Sequence, residues 1–217
     1  MRRWKRAVAA LLVAMIGGCA AVAEIPAAPE PAESREWFIF LETGKKTPED
    51  KARVAEMQRG HLENFKRLFG EKKLFAAGPL RDPSGVKRGI VVVSAPDRAT
   101  LDTYFQPDDY VREGYMTLNA TPVRAIKPLN TEGIDPNGIE EVRILMVMRG
   151  APVDEMRLKA ALEKAQFGGW YQVNSGPLSH ILFSRERDDA RLREWVGLGD
   201  PAQMQIWSQW LGKGVVR

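Results

Sequence analysis

The chain has 217 residues, 44% of them hydrophobic and 28% charged, with 32 Lys and Arg against 28 Asp and Glu. The apparent basicity comes largely from Arg2, Arg3, Lys5 and Arg6; without those four the balance is 28 against 28, so the positive excess expected of a nucleic-acid-binding domain is missing. A single cysteine excludes an internal disulfide, and two histidines exclude a histidine-rich metal site.

The four basic residues precede an uncharged apolar run at 7–16 and small residues around Cys19, the three-part layout of an export signal. The uncharged stretch 7–23 is 17 residues long. A spanning helix needs roughly 20, so a signal is favoured over an uncleaved anchor. Ile16-Gly17-Gly18-Cys19 resembles the lipobox of bacterial lipoproteins, with Gly17 where Ala or Ser is more usual. That resemblance implies lipidation at Cys19 and, with Ala20 following, a place in the cell envelope at the periplasmic side of the outer membrane. The other reading is an ordinary signal peptide, discarded together with Cys19, that leaves a periplasmic protein. Residues 20–35 carry Pro26, Pro29 and Pro31 among Ala and Glu and read as an extended tether between membrane and domain.

The run WFIFL at 37–41 suits a buried strand. Thr47 and Pro48 predict a helix start, with Thr47 as cap and Pro48 in the first helical position, and Val54, Met57, Phe65 and Leu68 keep one face as far as Gly70. LFAA at 74–77 reads as a second strand, DPSG at 82–85 as a turn and GIVVV at 89–93 as a third strand. Pro96-Asp97 opens a helix through Leu101 and Phe105, and a last strand spans 115–126, with Pro122 implying an edge or a bulge. The order is β-α-β-β-α-β, the pattern of an α+β, ferredoxin-like layer of helices on an antiparallel sheet. Such a sheet has one face covered by its helices and needs a cover for the other.

After a linker at 128–140, the second half supplies candidate elements in the same order. VRILMVM at 142–148 is strand-like, and Leu158, Ala161, Leu162 and Ala165 have helical spacing. WYQV at 170–173 precedes Gly176-Pro177-Leu178, which repeats Gly78-Pro79-Leu80 between two apolar runs; a helix at 189–196 follows. QMQIWSQWLGKG near the C-terminus reads as more helical than strand-like. The pattern predicts a degenerate internal repeat over 141–217.

His61-Leu62 on a helix, the strand-and-turn LFAAGPL at 74–80, and Asp108-Asp109-Tyr110-Val111 before Gly114 together resemble the YCII-related family over 36–127. The resemblance implies a ferredoxin-like dimeric α+β barrel with a His and an Asp in each cleft. Here the two copies would form that arrangement within one chain, as a monomeric pseudo-dimer or a homodimer of such chains. It assigns His61 and Asp108 as a catalytic pair, with Gly78, Pro79 and Tyr110 as ligand contacts, and requires neither a metal nor a cofactor. Asp109 stands where the family usually has Pro. In the second copy the position equivalent to His61 is Lys159, though Asp200-Pro201 persists, so at most one active cleft is expected.

His61 is four residues from both Met57 and Phe65, on the apolar stripe, where a core histidine bonded to backbone is the competing reading. An imidazole oriented by a carboxylate is a proton acceptor and donor suited to a small aromatic or carbonyl acid, as in lyase-type chemistry. His180 reads as a strand-surface residue, and Trp170, Trp195, Trp207 and Trp210 as core more readily than as a ligand surface. No phosphate loop and no Gly-x-Ser-x-Gly elbow is present. Two functions stay open: an exported small-molecule enzyme using His61 and Asp108, or a catalytically silent envelope lipoprotein that binds a small ligand or a protein partner.

Overall fold

The computed structural model describes residues 35–217; the leader, Cys19 and the tether except for Arg35, the first residue of a strand, lie outside the described residues. Within them the order is β1(Arg35–Thr43), α1(Lys51–Gly70), β2(Leu74–Pro79), β3(Lys87–Ala95), α2(Arg98–Tyr104), α3(Asp109–Arg112), β4(Met116–Lys127), β5(Asp135–Met148), α4(Glu155–Glu163), β6(Gly169–Val173), β7(Leu178–Ser184), α5(Asp189–Val196) and β8(Met204–Lys213). No described helix is long and apolar enough to cross a membrane.

The strands form one eight-stranded antiparallel sheet in the order β2-β3-β1-β4-β6-β7-β5-β8. Each half contributes four strands in the order second, third, first, fourth, which is the ferredoxin-like arrangement. Pairing of β4 with β6, from Val123 against Val173 to Lys127 against Trp170, joins the halves. At the outer edges β2 meets β8 through a Leu80–Gln209 bridge and an Arg81 N–H donated to the Ser208 carbonyl at 2.9 Å. The sheet thereby curls into a nearly closed barrel.

Burial on both sides of the sheet explains why WFIFL is apolar without alternation. Phe38 and Phe40 point into the barrel, where they meet Val92, Ile144, Tyr171 and Phe183 from both halves. Trp37, Ile39 and Leu41 point outward beneath α1 and α2, with Met57, Leu68 and Leu101. A separate outer layer beneath α4 and α5 contains Leu145, Leu158, Trp170 and Leu192. Each fully buried Leu or Phe contributes about 1.5–3 kcal/mol, so the barrel interior fixes the two halves together.

Several local expectations change. The cap of α1 is Asp50, whose side chain accepts from the Ala52 and Arg53 N–H groups; the helix therefore starts three residues after the Thr47-Pro48 signal. Ala165 lies beyond α4 in a left-handed turn, φ 54°. Pro122 sits in a strand that lies inside the sheet, but at that residue β4 pairs with β1 alone, and pairing to β6 begins at Val123. Its missing N–H falls where the strand is still an edge. Half of the expected linker is strand: β5 starts at Asp135 and pairs with Lys213 of β8.

The C-terminal segment is β8, not a helix. It pairs with β5 from Lys213 against Asp135 to Met204 against Val147, and so satisfies a backbone edge that would otherwise be unpaired. Its inward row is Trp207, Gln209 and Leu211, and the buried glutamine breaks the alternation that marks a strand. The two Gly-Pro-Leu tripeptides also differ in place. Gly78 is inside β2 in close contact with β8, whereas Gly176 is in the β6–β7 turn at φ +78° with open space around it.

Glu36, on the inward row of β1, stands at one end of the barrel near the buried Tyr171, and its Oε2 has no hydrogen-bond partner among the described residues. Burial raises its carboxyl above the ordinary range, and the Tyr171 hydroxyl offsets this only in part. An acid whose pKa is higher folded than unfolded contributes stability below its unfolded pKa and loses it as pH rises through the folded value. Glu36→Gln is therefore expected to raise Tm more at pH 7 than at pH 4. Thermal unfolding of both proteins across that range is the check, and a pH-independent difference would contradict it.

Candidate functional site

The buried stripe of α1 is Met57, His61, Asn64 and Leu68, one residue per turn facing the sheet. Asn64 donates from Nδ2 to the Tyr104 carbonyl at 3.0 Å, and Arg67 braces Asn64 Oδ1 while reaching the same carbonyl. These bonds pin the end of α2 to α1, and the turn that follows brings Asp108 back beneath His61. Asn64 was not singled out in the sequence because a helical asparagine carries no motif.

Asp108 is the N-cap of α3, with Oδ1 accepting the Tyr110 N–H at 3.0 Å. Its Oδ2 lies 2.6 Å from His61 Nδ1, and the carboxylate is 0% exposed. A carboxylate only accepts, so the neutral form of the imidazole beside it is the tautomer with its proton on Nδ1 and its lone pair on Nε2. Nε2 has no protein partner among the described residues, and His61 lines a cleft of about 580 Å³. The core-histidine alternative, with ring nitrogens satisfied by backbone, does not hold.

Asp109, the neighbour of Asp108, has a structural role of its own. Asp109 is the first residue of α3, where an acid interacts favourably with the helix dipole. Its Oδ2 lies 3.0 Å from Arg53 Nη2, and Glu113 Oε1 is 2.5 Å from the same atom, so Arg53 ties α3 to α1. Proline would supply the helix start without this ion pair.

The cleft opens where β2 and β8 diverge beside α1. Gln58, His61, Leu62, Phe65, Lys66 and Phe69 come from α1; the strip 74–79 comes from β2; Trp210, Leu211 and Gly212 come from β8, with Val215 beyond it. Ile134, Asn137, Gly138 and Ile139 close one side, and Leu41, Arg88, Gly89 and Met116 complete the wall. Gly78 and Pro79 stand on the cleft wall. Tyr110 does not: it is buried behind the imidazole, ring centroids 5.7 Å apart, while Phe65 covers the ring edge-on at 4.4 Å. Met116, Lys66 and Arg88 are wall residues that the sequence did not mark, because they converge from separate elements; Trp210, read there as core more readily than as a ligand surface, stands on the wall with them.

The second half has no matching pair. Lys159 is exposed on α4 and Asp200 is exposed in a turn. His180 is buried rather than on a strand surface, and its Nδ1 accepts from Trp170 Nε1 at 3.0 Å. Burial lowers its pKa, with nearby Arg149 adding to this and Glu155 opposing it. It is a neutral core residue. Among the described residues no three His, Cys, Asp or Glu side chains converge as a metal site.

No protein-family model matches the chain, and no curated protein is similar to it. A variant of chlorite dismutase from Candidatus Nitrospira defluvii, in complex with cyanide, aligns at a TM-score of 0.49 and 12% identity over 82% of this chain and 90% of that one. A protein with a provisional monooxygenase name from Lactobacillus acidophilus NCFM aligns at 0.46 and 11% identity, over 82% and 93%. An anthrone oxidase-like protein aligns at 0.39 and 11%, over 84% and 92%. Likeness at this level adds nothing to the topology described above and carries no argument about chemistry.

Proposed function

We propose that this chain is a YCII-related protein whose His61 and Asp108 act as an acid/base pair on a small molecule in the α1–β2–β8 cleft, in lyase-type chemistry. The observation that supports it is the fully buried Asp108 carboxylate 2.6 Å from Nδ1, with the other ring nitrogen left to the cleft. In this reading Nε2 takes a proton from a carbon next to a carbonyl, and the electron pair of the broken C–H bond passes into the carbonyl as an enolate. Asp108 then stabilises the imidazolium, which returns the proton to the product or to a leaving group. The regions 36–127 and 141–217 are two copies of one unit that build within one chain the paired sheets the family makes from two. A lipid at Cys19 holds the protein in the cell envelope.

A thermal-shift screen of metabolites on the full chain, run beside His61→Ala, tests the site; stabilisation by a hit that survives the substitution unchanged would argue against it. Chemistry is read separately, as NMR-followed deuterium exchange at the methylene of phenylpyruvate in D2O. Native protein should exceed His61→Ala by about 10²-fold or more. Equal exchange would instead favour the silent ligand-binding lipoprotein, a reading that draws its support from the mostly apolar cleft wall.

A further inference from the structure

The cleft has a charge asymmetry that the His61–Asp108 pair does not use. Its wall includes Lys66 and Arg88 but no aspartate or glutamate, in a chain whose acids nearly match its bases. Neither cation has an ion-pair or side-chain hydrogen-bond partner among the described residues. Some neighbouring cations find one, as Arg53 does with Asp109 and Lys87 with Glu42, while others such as Arg59 and Lys72 do not but stand outside the cleft. What sets Lys66 and Arg88 apart is their place: both stand on the wall of one cavity that no acid lines.

Apolar surface is concentrated there too. Leu62, Phe69 and Ile139, at 48%, 39% and 73% exposure, are three of the five large exposed hydrophobic residues among the described residues, and all three belong to this cleft. Exposed apolar side chains clustered around a concave site mark a surface that gains from an apolar occupant. Cations without acids beside them disfavour a cationic occupant and leave a neutral one with no counterpart for their charge.

We infer that the cleft takes a small apolar monoanion, an aryl or short acyl carboxylate. Its hydrocarbon body lies against Phe65, Phe75 and Trp210, and its carboxylate is drawn to Arg88 and Lys66. The inference rests on the acid/base reading only for where the reacting carbon sits, beside Nε2 of His61. The ligand class itself rests on the charge and apolarity of the wall.

The test is isothermal titration calorimetry of the full chain with phenylpyruvate, phenylacetate, 4-phenylbutyrate and octanoate, each beside its primary amide. The best-bound acid should exceed its amide by about tenfold, the size of one charge-assisted contact. That ratio should shrink as salt rises and should approach one in the Lys66→Gln/Arg88→Gln double variant. Both side chains are exposed, so the variant should keep the native Tm. Acids and amides binding alike, no acid binding, or a ratio that survives the double substitution would each overturn the inference. An acid preference without proton exchange upholds the ligand class and counts against catalysis alone; exchange without an acid preference does the reverse.

Discussion

Gly78→Ala is expected to lower stability by about 3 kcal/mol, a fall in Tm of roughly 6–12 °C for a domain of this size. A Cβ at this position would stand 1.9 Å from the Trp210 carbonyl oxygen and 3.0 Å from its carbon, both backbone atoms that cannot turn aside. The strands must separate, and they separate at the only bridge between β2 and β8 among the described residues, Leu80 against Gln209. The same movement reshapes the cleft, since Gly78 and Trp210 both line it. Gly176→Ala is the control. There the surroundings are open and only the left-handed backbone opposes a side chain, at a cost of about 1–2 kcal/mol. Thermal unfolding of both variants should rank Gly78→Ala well below Gly176→Ala, and the reverse order would contradict the seam described here.

Asp108 yields the second large effect, and two substitutions separate its roles. Asp108→Ala removes the acceptor of both the His61 ring and the Tyr110 N–H in a site without solvent, and should cost about 3 kcal/mol. Asp108→Asn is close in shape, and its oxygen can still cap α3. Its amide N–H₂, however, would face His61 Nδ1, which must then become the acceptor and move the ring proton to Nε2. The base would thus point its hydrogen at the cleft. Stability should stay within about 1 kcal/mol of native while phenylpyruvate exchange falls by about 10²–10⁴-fold. Exchange that persists in Asp108→Asn would mean that the carboxylate does not set the tautomer.

How much of this was legible in the sequence depended on the range of the forces involved. The strands at 37–41 and 89–93 could be read because both of their faces are buried, which demands apolar residues at every position. Helix α5 was legible to its ends, with Asp188 capping it and Gly197 closing it in a left-handed turn. Strand β8 was not legible, because Gln209 interrupts its inward row and its pairing partners lie 57 to 78 residues away. His180 looked like a surface residue because the indole N–H that satisfies it, from Trp170, arrives across a neighbouring strand.

The sequence by itself determined which residue types fill each layer, the order of the elements other than α3 and β8, and the candidacy of His61 and Asp108. Those features follow from local periodicity, capping and a short motif resemblance, all of which act within a few turns of chain. Only the tertiary structure decided that Asp108 is dry and 2.6 Å from Nδ1, that Tyr110 stands behind the ring rather than in the cleft, and that Lys66, Arg88 and Trp210 share one wall. The physical reason is barrel closure. The cleft exists because β2 and β8, joined by one bridge, diverge beside α1, and no local stretch of chain encodes where two edges from opposite ends of the fold will meet.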